Sequence, residues 1–319
     1  MPAYPFIQCD VFTDQIFYGN PLAVFPDASG IDDVTMQRIA REMNLSETVF
    51  VLPPTDVQKA VRKLRIFTPG LELPMAGHPV VGTWNMLARL GVVMPPDSGT
   101  GQVTIHQEIK LGILPVTIDF ADGIPVKVTM TQGTPHVGPS LDEVAACTRA
   151  LRLSEGEIGD AQLPILRAST GVPYLIVPVR SRSILSRART DSAALSDVLK
   201  RTEAGAIYVV SRETHSPGAV ISARMFADES LGLGEDPATG SAAGPLAAAL
   251  VHYGVVATVN GQARFVIEQG VDMGRASYIE AEVEGELGSI RVVRIGGGAV
   301  QVLTGEIHWP ADCRSLHDK

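Results

Sequence analysis

The chain has 319 residues, 45% hydrophobic and 19% charged, with a net charge of −9; this supplies buried cores for roughly two domains and excludes a disordered chain. The acidic balance argues against nucleic acid or an anionic membrane as a partner. Three cysteines (Cys9, Cys147, Cys313) without Cys-x-x-Cys spacing argue against a disulfide framework or a thiolate zinc site. With no basic-then-apolar leader and no apolar run of ~18 residues, the expected location is cytoplasmic.

Strand-like runs open the chain at Cys9–Phe12 and Leu22–Phe25, with the turn signal Gly19-Asn20-Pro21 between them. Val34–Met43 has a helical pattern, Ile39 and Met43 sharing a face. A strand over Thr48–Leu52 stops at Pro53-Pro54, and Arg65-Ile66-Phe67 ends another. In the apolar helix that follows, Pro79 suits the first turn, Val80, Trp84, Leu87 and Ala88 form the apolar face, and Gly91 ends it. Strands are expected at Gln102–His106, Leu114–Phe120 and Val126–Met130, the last two joined by the hairpin signal Ala121-Asp122-Gly123.

The second half repeats this order. Gly171-Val172-Pro173 precedes the apolar run Tyr174–Val179, Ile207–Val210 reads as a buried strand, and Arg224-Met225-Phe226 echoes Arg65-Ile66-Phe67. The helix Ala242–His252 is apolar on all sides and expected to be buried. Further strands are expected at Ala263–Glu268, Tyr278–Val283, Ser289–Ile295 and Val300–Thr304. Leu141–Leu151 and Ser192–Lys200 read as helices peculiar to this half.

The repeat is sharpest where Glu72-Leu73-Pro74-Met75-Ala76-Gly77-His78 meets Glu235-Asp236-Pro237-Ala238-Thr239-Gly240-Ser241, at a constant offset (235 − 72 = 163). Both segments close on Gly-Val-Val, at 91–93 and 254–256. The expected fold is α+β, with two pseudo-symmetric domains, each a curved, mostly antiparallel sheet around a central apolar helix. The division falls at 1–122 and 123–304, with the 305–319 tail rejoining the first domain.

Two helix starts with different polar residues at matched places are the natural site of chemistry. A helix N-terminus exposes unpaired N–H groups and partial positive charge, a seat for a carboxylate or phosphate. Gly77 and Gly240 let backbone approach a ligand, and Thr239 and Ser241 add hydroxyl donors; the same residues also fit plain capping. His78 stands at the first start, where the helix dipole would push its pKa down and leave it neutral for proton relay. Of Glu235 and Asp236, one could cap while the other faces the cleft. Glu47 feeds an apolar strand; buried, it would be a general acid/base, although its spacing alone fits an exposed loop glutamate. No Gly-x-x-x-x-Gly-Lys-Ser/Thr or Gly-x-Ser-x-Gly occurs, Gly232-Leu233-Gly234 runs into Pro237, and the histidines are dispersed, so no metal site is expected.

Together, Tyr18-Gly19-Asn20-Pro21-Leu22-Ala23-Val24-Phe25, Asn44-Leu45-Ser46-Glu47-Thr48, Glu72 to Pro79 and Glu235 to Ala242 resemble the phenazine-biosynthesis isomerase family, the PhzF-like proteins. The resemblance spans almost the whole chain. It implies a diaminopimelate epimerase-like fold, a homodimer, and a cofactor-free isomerisation like that of trans-2,3-dihydro-3-hydroxyanthranilate, in which a glutamate moves a proton between ring carbons. That glutamate matches Glu47; the supporting residues match His78, Asp236 and Ser241, and Asn20 falls where substrate contacts are expected. The epimerases of this fold carry a cysteine at each helix start; none stands here, so two-thiol racemisation is not expected. A small carboxylate substrate follows. A lyase that loses water after the same proton abstraction, and a non-enzymatic binding or scaffold protein, are the alternatives.

Overall fold

A computed structural model describes residues 3–228 and 234–308. Cys313, the 309–319 part of the tail and Gly232-Leu233 lie outside the described residues. In the first half, β1 (Ala3–Val11) lies antiparallel to β2 (Asn20–Phe25), and α1 (Asp33–Met43) carries the chain to β3 (Glu47–Leu52), parallel to β2. Asp32 starts α1 by accepting from the Thr35 N–H, and Asn44 ends it in the left-handed region. β4 (Arg62–Phe67) pairs with β3 and with the two-residue β5 (Glu72–Leu73), which leads into α2 (Gly77–Arg89). β6 (Gly101–Ile109) runs parallel to β4 at its end, Gln107 and Glu108 opposite Arg62 and Lys63, and forms an antiparallel meander with β7 (Gly112–Ala121) and β8 (Ile124–Thr131).

The second half begins with β9 (His136–Ser140), α3 (Val144–Leu151), β10 (Leu166–Ser169), β11 (Pro173–Pro178), α4 (Arg182–Arg187), α5 (Ser192–Thr202), β12 (Ala206–Ser211) and β13 (Ile221–Ala227). It continues with β14 (Glu235–Asp236), α6 (Gly240–His252), β15 (Gln262–Gln269), β16 (Ser277–Glu286), β17 (Ser289–Gly297) and β18 (Ala299–His308). The pairing is repeated: β10 to β11 antiparallel, β11 to β12 parallel, β12 to β13 antiparallel and β13 to β15 parallel, then a meander through β17. β8 and β17 pair with each other and join the halves into one 18-stranded sheet. β18 returns to pair with β1, as β9 pairs with β10. The division proposed at 122/123 falls in the turn between β7 and β8, where Asp122 and Gly123 both have positive φ.

The repeat survives folding without slippage: β5 and α2 map onto β14 and α6 residue for residue at the 163 offset. Both helices end alike, with Val92 N–H donating to Leu87 O (2.9 Å) and Val255 N–H to Leu250 O (2.8 Å), beside left-handed Gly91 and Gly254. α2 is buried from Gly77 to Ala88 and α6 along nearly its whole length, and both belong to one continuous core. Inside it, buried Trp84 donates to Gln107 Oε1 (2.7 Å).

Two expectations are corrected. Gly19-Asn20-Pro21 is not a turn between strands: the loop is 12–19, and Asn20 and Pro21 already pair with Val11 and Asp10. The helix at Ser192–Lys200 is not peculiar to the second half, because α5 is the counterpart of α1 (192 − 33 = 159), capped by Asp191 as α1 is by Asp32. Extra residues around α4 break the register between the strand and this helix and hide the match. No helix among the described residues is long and apolar enough to cross a membrane.

Candidate active site

The two helix starts touch. A Cβ added to Gly77 would lie 2.9 Å from the Gly240 Cα, and one added to Gly240 would lie 3.2 Å from the Gly77 Cα. Only glycine lets both backbones come this close. Each start is tied back to its sheet by a two-pronged arginine–glutamate pair at equivalent positions. Arg65 reaches Glu72 at 2.8 and 3.0 Å, and Arg224 reaches Glu235 at 2.7 and 2.8 Å. Glu235 is held by Arg224, whereas Asp236 turns the other way, into the contact between the halves, where it meets Asn20 and Ser46.

Glu47 is the first residue of β3, and β3 pairs with β2 so that Glu47 stands opposite Leu22. It is 8% exposed, His78 3% and Asp236 6%; the exposed-loop expectation for Glu47 is overturned. Glu47 Oε2 lies 3.1 Å from His78 Nε2, yet neither atom is aligned for a hydrogen bond. Asn20 Nδ2 donates to Asp236 Oδ1 (2.8 Å) and Ala238 O (2.9 Å) and lies 3.2 Å from His78 Nδ1. The two Nδ2 protons serve those two nearer oxygens, and His78 Nε2 faces Glu47 Oε2. Thr239 Oγ1 donates to Asp236 Oδ2, and Ser46 Oγ donates to Oδ1 (3.2 Å).

Burial decides the charges. It pushes the Glu47 carboxyl well above its usual range, helped by the nearby Asp236 charge, and pushes His78 down to about 3. The expected helix-dipole effect on His78 gives way to desolvation as the cause. Burial also raises Asp236 to about 6, against the pull of donors Thr239, Asn20 and Ser46. Burial thus disfavours charge on both groups of the 3.1 Å approach, with the donor-held Asp236 carboxylate beside them.

The fold therefore brings Asn20, Glu47, Gly77, His78, Asp236, Thr239 and Gly240 together. Ser241 sits at the same helix start but hydrogen-bonds Tyr174 (2.7 Å). Sequence reading missed Ser46, Tyr174, Tyr208 and Gln269. Ser46 could have been found inside the Asn-Leu-Ser-Glu-Thr motif and Tyr174 after the Gly-Val-Pro echo; nothing local marks Tyr208 or Gln269. A surface hollow of about 520 Å³ between Pro54, Arg62 and His106 contains none of these residues. What distinguishes the contact between the halves is a cluster: of the eight buried side-chain polar atoms without hydrogen-bond partners among the described residues, Asn20 Oδ1, Glu47 Oε2 and His78 Nε2 meet there. Such atoms are uncommon in a finished core.

Comparison with known proteins agrees with the fold and the motifs. The phenazine biosynthesis-like (PhzC-PhzF) family is matched over residues 9–305. A Mesorhizobium japonicum protein named an uncharacterized isomerase is 38% identical, covering 95% of this chain and 98% of its own. The trans-2,3-dihydro-3-hydroxyanthranilate isomerase of Pseudomonas chlororaphis is 35% identical, with the same coverage. The PhzF-family phenazine biosynthesis protein of Bacillus anthracis superposes with a TM-score of 0.86 at 28% identity, covering 97% of this chain and 100% of its own. A hydroxyproline epimerase from Agrobacterium vitis shares the fold (TM-score 0.65, 13% identity, 96% and 91% covered). The chain belongs to the PhzF-like phenazine biosynthesis-like family and is an isomerase of that group.

Proposed function

We propose that this isomerase moves a proton between carbons of a small, unsaturated carboxylate without a cofactor, with Glu47 as the acid/base. The observation that carries the reading is the convergence of the buried, unpartnered Glu47 Oε2 and His78 Nε2 with anionic Asp236 at two touching helix starts. The Pseudomonas relatives named trans-2,3-dihydro-3-hydroxyanthranilate isomerase support the substrate class.

The substrate carboxylate binds at the helix starts near Gly77 and Gly240, where first-turn N–H groups have no partner within the helix. Admitting it requires the Gly77–Gly240 contact to open. Ionised Glu47 takes a proton from carbon, the electron pair left behind enters the conjugated system, and Glu47 delivers that proton, in part exchanged with solvent, to a second carbon as the double bond migrates. His78 Nε2–H stabilises the Glu47 carboxylate while it is charged. Asp236, held by Thr239, and Asn20 fix the substrate's polar groups, and Ser241 supplies a hydroxyl.

General acid–base assistance is worth typically about 10²–10⁴-fold, so Glu47→Gln should lose roughly that much turnover while keeping its fold. Candidate cyclic and hydroxylated carboxylates are incubated in D₂O with each protein and followed by NMR and mass spectrometry. Carbon-bound deuterium with conserved mass otherwise, lost in Glu47→Gln, is the expected result. Exchange retained within twofold removes Glu47 as the base, and loss of water identifies a lyase.

A further inference from the structure

We propose that Gln269, pinned by Tyr208, is a positioning residue that keeps the Thr239 hydroxyl donating to Asp236 and thereby keeps Asp236 the anion of the site. The inference rests on the reading of Asp236 as part of that site. Gln269 ends β15, is fully buried, and has both ends of its amide engaged. Oε1 accepts from Thr239 N–H (3.1 Å) and Tyr208 OH (2.8 Å); Nε2 donates to Asp236 O (2.7 Å) and Thr239 Oγ1 (3.0 Å). The amide can sit only this way round. Exchanging its ends would set oxygen against the Asp236 carbonyl and NH₂ against the Thr239 N–H.

The direction of the chain of donors follows. Burial holds Tyr208 protonated, so its hydroxyl donates to Gln269. Thr239 Oγ1 accepts from Gln269, and its single proton is left for Asp236 Oδ2. Each donor polarises the next, and the last one stabilises the carboxylate. Asp236 Oδ1 is served separately, by Asn20 and Ser46. The other titratable groups facing Asp236 are Glu47 on β3, Glu235 on β14 (neutralised by Arg224), Tyr174 on β11, Tyr208 on β12, and His78 on α2 through Asn20.

The duplicated half shows that this relay is not a requirement of the fold. At the 163 offset, Asp236 and Thr239 correspond to Leu73 and Ala76. Tyr208 pairs with Met225 as Val49 pairs with Ile66, and Gln269 stands beside β13 where Ile109, one step beyond the Lys63–Glu108 pair, stands beside β4. The first half builds the same helix start with four apolar residues. Only the half that carries the acid carries the relay.

The test is a ¹³C-carboxyl NMR titration of the free, full-length protein, with the Asp236 signal assigned by its absence in Asp236→Asn. In Gln269→Leu the Thr239 hydroxyl is released and the Asp236 midpoint rises by about one to two pH units, the worth of one hydrogen bond to a charged group. In Tyr208→Phe, which removes a single buried hydroxyl, it rises by less; this variant carries the test if Gln269→Leu does not fold. A midpoint that stays or falls in the folded variants overturns the relay. The readout needs no turnover: a raised midpoint beside a fully active Glu47→Gln leaves the relay standing without the proposed reaction, and an unmoved midpoint beside an inactive Glu47→Gln does the reverse.

Discussion

Whether Glu47 and His78 rest as a neutral pair or as an ion pair determines how the site starts its cycle, and stability against pH separates the two. His78 is depressed to about 3 in the folded protein by burial, against an ordinary value of 6.5. A group depressed by folding contributes stability that is complete above its unfolded pKa and is lost as pH falls through its folded one. For His78 that window runs from 6.5 down to about 3. At 1.36 kcal/mol per pH unit the whole window is worth about 5 kcal/mol, of which about 3 kcal/mol is lost between pH 7 and pH 4. His78→Gln has no proton to gain. Its unfolding free energy minus that of the wild type should therefore grow by about 3 kcal/mol over that range, read from urea unfolding followed by the fluorescence of buried Trp84. Asp236 and the surface carboxylates are present in both proteins and cancel in the difference. In an ion pair the His78 cation held by a Glu47 carboxylate would have a raised pKa, and its stabilisation would be complete below 6.5 and lost only as pH rises above it. A difference that stays flat between pH 6.5 and pH 4 therefore refutes burial of an uncharged imidazole, and one that changes only above 6.5 marks the ion pair.

Three further outcomes are expected. Because burial and Asp236 raise Glu47 well above the usual carboxylate range, the ionised base becomes more abundant as pH rises, so kcat/KM should keep climbing with pH beyond that range; a profile flat from pH 5 upward contradicts this. Gly77→Ala and Gly240→Ala each force a methyl to within 3.2 Å of the opposite helix start, and should lose about 1–3 kcal/mol by thermal or urea unfolding, with turnover falling further than stability. Arg224 is buried, pairs with Glu235 and donates to the carbonyls of Leu185, Ser186 and Ala188, whereas Arg65 pairs with Glu72 and exposed Asp33. Arg224→Met should therefore cost about 3–5 kcal/mol, and Arg65→Met clearly less, in parallel urea titrations.

What could be read from the sequence was whatever is encoded locally or repeated. The 163-residue echo survives because it lies in a turn and a buried helix, where Gly77, Gly240, Gly91 and Gly254 answer to backbone geometry. The kinship of α1 and α5 was hidden because those helices share only caps and an amphipathic rhythm, with extra residues at α4 ahead of one of them. Glu47 shows the limit more sharply. From its neighbours it passes for a loop residue; it is buried because β2 lies beside it and His78 arrives from α2, both distant in sequence. Gln269 and Tyr208 lie further still from any local signal, since their meaning depends on a contact 61 residues apart in the chain.

On the proposed reading, the asymmetry of the halves also constrains the stereochemistry. Strand pairing sets Glu47 opposite Leu22, and Ala206 opposite Tyr174, in equivalent ladders, so the counterpart of the base is an alanine. The counterpart of His78 is Ser241, whose hydroxyl is bound to Tyr174, a phenol that burial pushes well above its ordinary pKa. Among the described residues, the second half therefore offers the Ser241 hydroxyl and the Asp236 carboxylate, whose two oxygens are already engaged by Asn20, Ser46 and Thr239 rather than free to take a proton from the far face of a substrate. Inverting a carbon centre needs a proton acceptor on each face. One carboxyl that both takes and returns the proton works on a single face, and its natural reaction is migration of a proton and a double bond rather than epimerisation. A substrate labelled with deuterium at the departing position should then carry part of that label to the new carbon, because the same Glu47 oxygen delivers it before solvent exchanges it. Complete washout of the label in a single turnover, with inversion at the original carbon, would require a second base that these residues do not supply.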